Sequence, residues 1–224
     1  PEDTTRISCC DFRGNLGHKG GGIVAVGVDS VQVDNSILMD NQSASDGGAV
    51  FCEDGNVNLI NNLICRNGSG DQGGGLYLSN SGCKIMNCTL AKNTAPNGGA
   101  AISHILPAES VPQTLIRNSI VYGNSPDTVA HADSNFSIEY STIEGGFPGI
   151  GNSSDDPLFV DMSKSNYLLS HRSTGQHSDS PCINAGNRHV SELELNFLGY
   201  DQTMADMSTR TDGAGDQGIV DQGY

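Results

Sequence analysis

The chain has 224 residues, 29 of them glycine, and carries a formal net charge of −15. So acidic a chain lacks the basic face that nucleic-acid phosphates require, and we expect no nucleic-acid partner. Because no run of 18 or more apolar residues occurs, we expect no membrane-spanning helix.

The first predicted elements are copies of one short motif, apolar-x-apolar-x-Asn-small-x-apolar-x-x-Asn. Its six copies, of which the first and last are degenerate, occupy residues 5–15, 31–41, 57–67, 83–93, 114–124 and 136–146. The motif-ending residues Asn15, Asn41, Asn67 and Asn93 are each separated by 26 residues. A constant interval of this length predicts a solenoid of repeated structural units.

A second pattern of paired glycines has the same period. It reads Gly21-Gly22-Ile23-Val24, Gly47-Gly48-Ala49-Val50, Gly73-Gly74-Gly75-Leu76 and Gly99-Ala100-Ala101-Ile102. This alignment places Val24 in one apolar column with Val50, Leu76 and Ile102. No phosphate-binding loop signature accompanies the glycines, so we interpret them as turn and close-packing residues.

Apolar residues recur at fixed positions of every copy, whereas the residues between them vary. One invariant column contains Ile7, Val33, Leu59, Ile85, Ile116 and Ile138. Alternation with period two predicts strands, and each strand must lie parallel to its copy in the next unit. We therefore predict an all-β fold, a right-handed parallel β-helix of about six coils over residues 1–146.

Two columns of asparagine follow from the same stacking. Asn41, Asn67, Asn93 and Asn124 are expected to form an internal amide ladder at a bend, each side chain bonding the next. A second ladder is expected from Asn35, Asn61, Asn87 and Asn118. We interpret both columns as structural.

Several of these motifs resemble known repeats. Gly47-Gly48-Ala49-Val50 and Phe12-Arg13-Gly14-Asn15 resemble the GGA[ILV] and FxxN repeats of polymorphic outer-membrane proteins, and the coils resemble β-helix repeats of bacterial secreted and surface proteins. Segments 156–161 and 180–186 resemble the closing module of such proteins. The resemblance implies a secreted or cell-surface location and a C-terminal capping module over residues 147–224, which we expect to fold over the end of the coils.

A candidate ligand patch surrounds the one clear insertion in the repeat, residues 105–113. His104 precedes the insertion in the predicted inward column of Val26, Cys52 and Leu78, and Glu53, Asp54 and Glu109 are expected on the same corner. The other interpretation of His104 is a structural residue at the edge of a coil.

A candidate cation site lies near the end of the chain, where Asp206, Asp212, Asp216 and Asp221 are interspersed with glycines. Carboxylates spaced in this way can wrap Ca²⁺. The alternative is a loop of Asx-turns.

Catalytic groups are not evident in the repeat. Asp34 and Glu139 share one outward column but are four rungs apart, about 19 Å, whereas a glycosidase needs carboxylates about 5–9.5 Å apart. We assign no catalytic residue and expect a non-catalytic extracellular module with a surface, adhesive or filament-forming role, associating end to end or with an extracellular glycan. The alternative is a polysaccharide-active enzyme, lyase or hydrolase, or a carbohydrate-binding β-helix, with its site in coils outside this sequence or near the insertion.

Overall fold

The computed structural model describes residues 4–106, 113–131, 135–187 and 221–224, and shows a parallel β-solenoid of about five turns. The sequence motif has six copies, and two sheets contain six strands each, but the third sheet has only five. About five turns are therefore present, where we expected about six coils. No helix in the described ranges is long and apolar enough to cross a membrane.

Three parallel sheets form the walls of the solenoid. The first contains Thr4–Ser8, Ser30–Asp34, Asn56–Ile60, Gly82–Met86, Thr114–Arg117 and Phe136–Glu139. The second contains Asp11–Arg13, Ile37–Met39, Leu63–Cys65, Thr89–Ala91, Ile120–Tyr122 and Thr142–Ile143. The third contains Ile23–Val26, Val50–Glu53, Leu76–Ser79, Ile102–Ile105 and Val129–His131. A narrow fourth sheet of Leu16–Gly17, Gln42–Ser43 and Gly68–Ser69 lies between the second and third in each early coil.

The apolar columns predicted from the sequence form the core. In the first sheet Val33, Leu59, Ile85 and Ile116 are in register and fully buried. Leu38, Ile64, Leu90 and Val121 repeat this arrangement in the second sheet. Stacking identical positions at every rung removes these side chains from water, the main favourable contribution to folding.

The first asparagine ladder is confirmed. The side-chain amide of Asn15 donates to Asn41, Asn41 to Asn67, Asn67 to Asn93 and Asn93 to Asn124, all at 2.9–3.0 Å. Each Oδ1 also accepts the backbone N–H of the preceding ladder residue. The ladder thereby satisfies buried polar groups that the sheets leave unpaired at this bend.

Of the second asparagine ladder, the described part of the chain shows one side-chain bond, from Asn61 to Asn35 over 2.8 Å. Its members adopt left-handed backbone conformations at the bend between the first and second sheets, with φ of 50° at Asn35 and 49° at Asn118. The next position along the chain carries a buried ladder instead. Each side chain there accepts the backbone N–H of the residue that occupies the same position one coil earlier. The accepting residues are Ser36, Asn62, Cys88, Ser119 and Ser141. Asn87 and Asn118 bond the C-terminal segment.

The predicted register of the first glycine copy is wrong by one residue. Ile23, not Val24, pairs with Val50, and Ala25, not Val26, pairs with Cys52. Compared with the second coil, the first coil has one residue fewer before this strand and one residue more after it. The strand pairs on either side therefore keep the interval of 26 residues. Val24 and Val26 consequently face outward and are 55% and 53% exposed.

The C-terminal segment begins at the last coil and then returns along the outside of the second sheet. Asn152 extends the buried ladder by accepting the backbone N–H of Ser141. An antiparallel pair, Phe159–Asp161 and Asn166–Leu169, and two 3₁₀ turns, Met162–Lys164 and Arg172–Thr174, follow. Within this segment, Tyr167 packs in a cluster with Met39, Leu63 and Cys65 of the second sheet's outer face. A cap over the end of the coils stays a prediction.

Candidate functional site

The predicted ligand patch divides between the core and the surface. His104 is 1% exposed, and its Nε2 lies 3.1 Å from the carbonyl oxygen of Ser81 inside the solenoid. Glu53 is half-buried on the outer face of the third sheet, and Asp54 is exposed at the bend, where it accepts from Asn80. The structure therefore does not place His104 beside the two acids, and Glu109 lies outside the described residues.

The predicted cation site is described only at its last member. Asp206, Asp212 and Asp216 lie outside the described residues, so calcium binding stays a prediction. Asp221 is 2% exposed, and its Oδ1 accepts the backbone N–H of Asn184 at 2.7 Å. Within the ranges that the structure describes, no three His, Cys, Asp or Glu side chains are grouped as a metal site.

A site that the sequence reasoning missed lies on the outer face of the third sheet. Phe51 and Tyr77 occupy the same position of consecutive coils, and their rings stack with centroids 5.3 Å apart and planes 7° apart. From the preceding coil, the Lys19 ammonium lies 4.4 Å from the Phe51 centroid. Both contacts are favourable, and Val24 of the preceding coil is in register with Phe51. Phe51 is 1% exposed on this outward position.

Tyr77, unlike Phe51, remains partly exposed. The residue in register with it one coil later is Ser103, whose hydroxyl donates to Gln72 at 2.9 Å. Ser103 is not aromatic and is itself 1% exposed, so the next coil adds no ring to the column. The aromatic stack therefore ends at Tyr77.

Three carboxylates act on the Tyr77 phenol. Partial burial raises the pKa of Tyr77 above its ordinary value, and the negative charges of Asp46, Glu53 and Asp71 raise it further. Asp46 accepts the backbone N–H of Gln72, and Asp71 accepts the side-chain amide of Asn97. These bonds between coils fix the two aspartates, so the charge beside the ring is held by the turns.

Glycines allow the turns that carry these acids to approach the third sheet closely. Gly73 has φ +65°, and a Cβ there would lie 2.4 Å from the carbonyl oxygen of Leu76 and 2.9 Å from Cα of Tyr77. A side chain at this position would push the turn and the Tyr77 strand apart. The paired-glycine motif thus positions the acidic turn against the aromatic column.

The signal for this site was present in the sequence. Phe51 and Tyr77 are separated by the repeat interval of 26 residues, which places them on adjacent rungs. Elsewhere, a concavity is lined by residues 127–129 and 143–147 and includes the exposed acids Asp127 and Glu144.

Comparison with known proteins assigns no family. No protein-family model matches the chain, and no curated protein matches it. The likeness to repeats of polymorphic outer-membrane proteins has no support beyond the motifs themselves. What the structure establishes is a parallel β-solenoid built from sequence repeats.

Proposed function

We propose that this chain is a non-catalytic, extracellular adhesive module that binds a glycan on the outer face of its third sheet. The observation that carries the proposal is the partly exposed ring of Tyr77, held in place by its stack on the buried Phe51, because an aromatic ring on a rigid surface is a contact that sugars use. The resemblance to secreted and surface repeats motivates the extracellular location.

The solenoid suits such a role because its surface is held rigidly from within. The buried amide ladder joins five successive coils through four side-chain hydrogen bonds. The core columns stack without change of register in the first and second sheets. A preorganised surface loses little conformational entropy when a ligand binds. An elongated scaffold with a fixed lateral face can also take part in a surface structure or filament.

The test is binding of the full chain to a panel of immobilised neutral, acidic and basic oligosaccharides, together with a chemical assay on the matching polysaccharides. We expect saturable binding to at least one glycan class with no new reducing or unsaturated ends. Loss of polymer length during incubation would instead favour the polysaccharide-active enzyme, whose carboxylates would then be sought among Asp46, Glu53 and Asp71. Absence of binding to every glycan class would overturn the adhesive proposal.

Electron microscopy of the same material addresses the structural role separately. Filaments with a continuous axial repeat near the rung spacing of about 4.8 Å would show end-to-end association. Discrete particles that still bind glycan would restrict the function to adhesion.

A further inference from the structure

The three main sheets do not end at the same coil. In the first and second sheets the last strands, Phe136–Glu139 and Thr142–Ile143, are the sixth in order. The third sheet ends one strand earlier, at Val129–His131, which among the described residues pairs only with Ile102–Ile105. The other edge of Val129–His131 therefore borders the position of a sixth strand. An unpaired strand edge is a template for another extended chain.

The chain turns away from that position directly after the second sheet. The backbone N–H of Gly146 donates to the carbonyl oxygen of Ile143 at 2.9 Å, which closes a tight turn. Phe147 then packs against Phe136 of the first sheet, with ring centroids 5.8 Å apart. The concavity lined by residues 127–129 and 143–147 thus lies between this turn and the terminal strand of the third sheet, and its volume is about 270 Å³.

The lining of the concavity combines an apolar floor with two acids. Val129 and Phe147 are half-buried and pack, with Ile143, against the core of the solenoid. Asp127 and Glu144 are exposed and are the two charged side chains of the lining. A ligand that presents an apolar side chain together with a positive charge complements both parts.

The buried amide ladder ends beside the same concavity. Asn93 donates its backbone N–H and its side-chain amide to Oδ1 of Asn124, at 2.9 and 3.0 Å. The position one coil after Asn124 is Gly146, which lines the concavity and has no side-chain acceptor. Within the described ranges, the Asn124 side chain donates only to the carbonyl oxygen of Leu90, and its backbone N–H has no acceptor. Because Asn124 is 7% exposed, a carbonyl oxygen of a ligand would satisfy donors that are largely removed from water.

We propose that this concavity binds an extended basic peptide of a partner protein, which adds a sixth strand to the third sheet along Val129–His131. An apolar side chain of the peptide packs on Phe147, its basic side chains face Asp127 and Glu144, and its carboxamide accepts from Asn124. Strand addition takes its affinity from main-chain hydrogen bonds and its specificity from side-chain pockets. The inference goes beyond glycan adhesion, because it concerns another ligand and the end of the third sheet rather than its outer face.

The experiment uses a fluorescently labelled peptide that copies a spacing of the chain. Asn124 precedes Val129 by five residues, so the peptide is Asn-Ser-Gly-Lys-Thr-Val-Lys-Val, acetylated and amidated at its ends. Its binding to the full chain is measured by fluorescence anisotropy. We expect saturable binding, at least about ten-fold tighter than that of the same peptide with both lysines replaced by glutamates.

Two N-methylated isomers of the lysine peptide test the strand addition itself. Successive N–H groups of a strand point to opposite edges, so only every second residue bonds a given neighbour. One isomer carries N-methyl groups on the threonine and the second lysine, and the other carries them on the two valines. We expect one isomer to bind at least about ten-fold more weakly than the parent peptide and the other to bind like it. Equal effects of the two isomers would overturn the strand addition.

Variants of the chain separate the concavity from general attraction of a basic peptide to a net charge of −15. Asp127→Asn keeps the size of the side chain and weakens binding of the lysine peptide several-fold. Asp29→Asn is the matched control, because it removes the same charge from an exposed residue of the first coil, outside the concavity. Equal affinities of the two variants would show that overall charge attracts the peptide and would overturn the site.

A peptide in which alanine replaces asparagine tests the contact with Asn124, and we expect it to bind several-fold more weakly. Unchanged affinity of this peptide would overturn the extension of the amide ladder. If the lysine peptide shows no saturable binding, the docking site fails as a whole. Glycan binding by Asp127→Asn equals that of the wild type, so the peptide site and the adhesive function are tested independently.

Discussion

The side-chain amide of Asn67 donates to the side-chain oxygen of Asn93, one coil further along the solenoid, over 3.0 Å. The same amide donates to the carbonyl oxygen of Leu38 in the preceding coil, and Oδ1 of Asn67 accepts two N–H groups from Asn41. One fully buried side chain thus joins three successive coils. Aspartate could not donate and leucine could neither donate nor accept, so asparagine is required at this bend.

Asn67→Ala is expected to lower the free energy of unfolding by about 3–5 kcal/mol, because it leaves several buried donors and acceptors without partners. Urea denaturation followed by far-UV circular dichroism measures this loss. Asn97→Ala is the control, since Asn97 is exposed and its bond to Asp71 competes with water; we expect a change below about 0.5 kcal/mol. Equal losses in the two variants would contradict a structural role for the ladder.

Gly73→Ala and Gly14→Ala separate backbone strain from steric contact. Both glycines have left-handed backbones, with φ of +65° and +63°. A Cβ at Gly73 meets the Leu76 carbonyl at 2.4 Å, whereas one at Gly14 meets nothing within 4 Å. We expect Gly14→Ala to destabilise by about 1 kcal/mol from conformation alone and Gly73→Ala by at least about 2 kcal/mol more.

Thermal and urea midpoints of the two glycine variants give the comparison directly. Similar midpoints would mean that the turn carrying Asp71 can move away from the Tyr77 strand. That outcome would also weaken the case that the paired glycines hold the acidic turn against the aromatic column.

Tyr167→Ala tests the attachment of the C-terminal segment to the second sheet. Tyr167 is 4% exposed, packs in one cluster with Met39 and Leu63, and contacts Phe159 edge to face with ring centroids 5.5 Å apart. Removing the ring is expected to cost about 3–5 kcal/mol. It also uncovers apolar surface of the second sheet, which a rise in the fluorescence of a hydrophobic dye would report.

Leu168→Ala is the neighbouring control for this segment. Leu168 is 37% exposed and points away from the cluster that buries Tyr167, so we expect a loss below about 1 kcal/mol and no dye binding. A stable Tyr167→Ala variant without dye binding would show that the segment is held by its hydrogen bonds, such as those of Gln222 to Thr142 and Tyr140.

The sequence predicted the parts of this fold in which a neighbour along the repeat is also a neighbour in space. Parallel strands in register place equal positions of successive coils one rung apart, so the columns of Val33 and Leu38 and the ladder of Asn67 could be identified from the 26-residue interval. The same logic applies to Phe51 and Tyr77. That pair was missed because only two coils carry an aromatic residue there, and a column of two is a weak pattern.

Other features depend on information that the repeat does not contain. The shift of Val24 to the outside arises from two compensating changes in turn length, which leave the flanking motifs in phase and so conceal it. The position of the C-terminal segment depends on the outward apolar residues Met39, Leu63 and Ile120. Runs that are apolar on both faces, such as Leu63–Cys65, indicate a sheet covered on both sides, although they do not say which segment covers it.

Cys88→Ser tests how a buried thiol links stability to pH. Burial raises the pKa of Cys88 from 9.0 to about 12, the backbone N–H of Asn62 opposing this in part. Below pH 9 the thiol is protonated in both the folded and the unfolded chain. Between pH 9 and 12 only the unfolded chain loses the proton, so Cys88 lowers the free energy of unfolding by up to about 1.4 kcal/mol per pH unit.

Serine should replace Cys88 without disturbing its coil, because Ser36, Ser119 and Ser141 occupy the same column and make the same two bonds. We expect unchanged stability at pH 7 within about 1.5 kcal/mol and a shallower loss of stability from pH 9 to 12, measured by urea denaturation at each pH. Cys9→Ser, which replaces an exposed cysteine outside this column, is the control for the substitution itself. Parallel pH curves for Cys88→Ser and the wild type would show that water reaches the Cys88 thiol at high pH, and hence that the column of Ser36 and Ser119 opens locally before the solenoid unfolds.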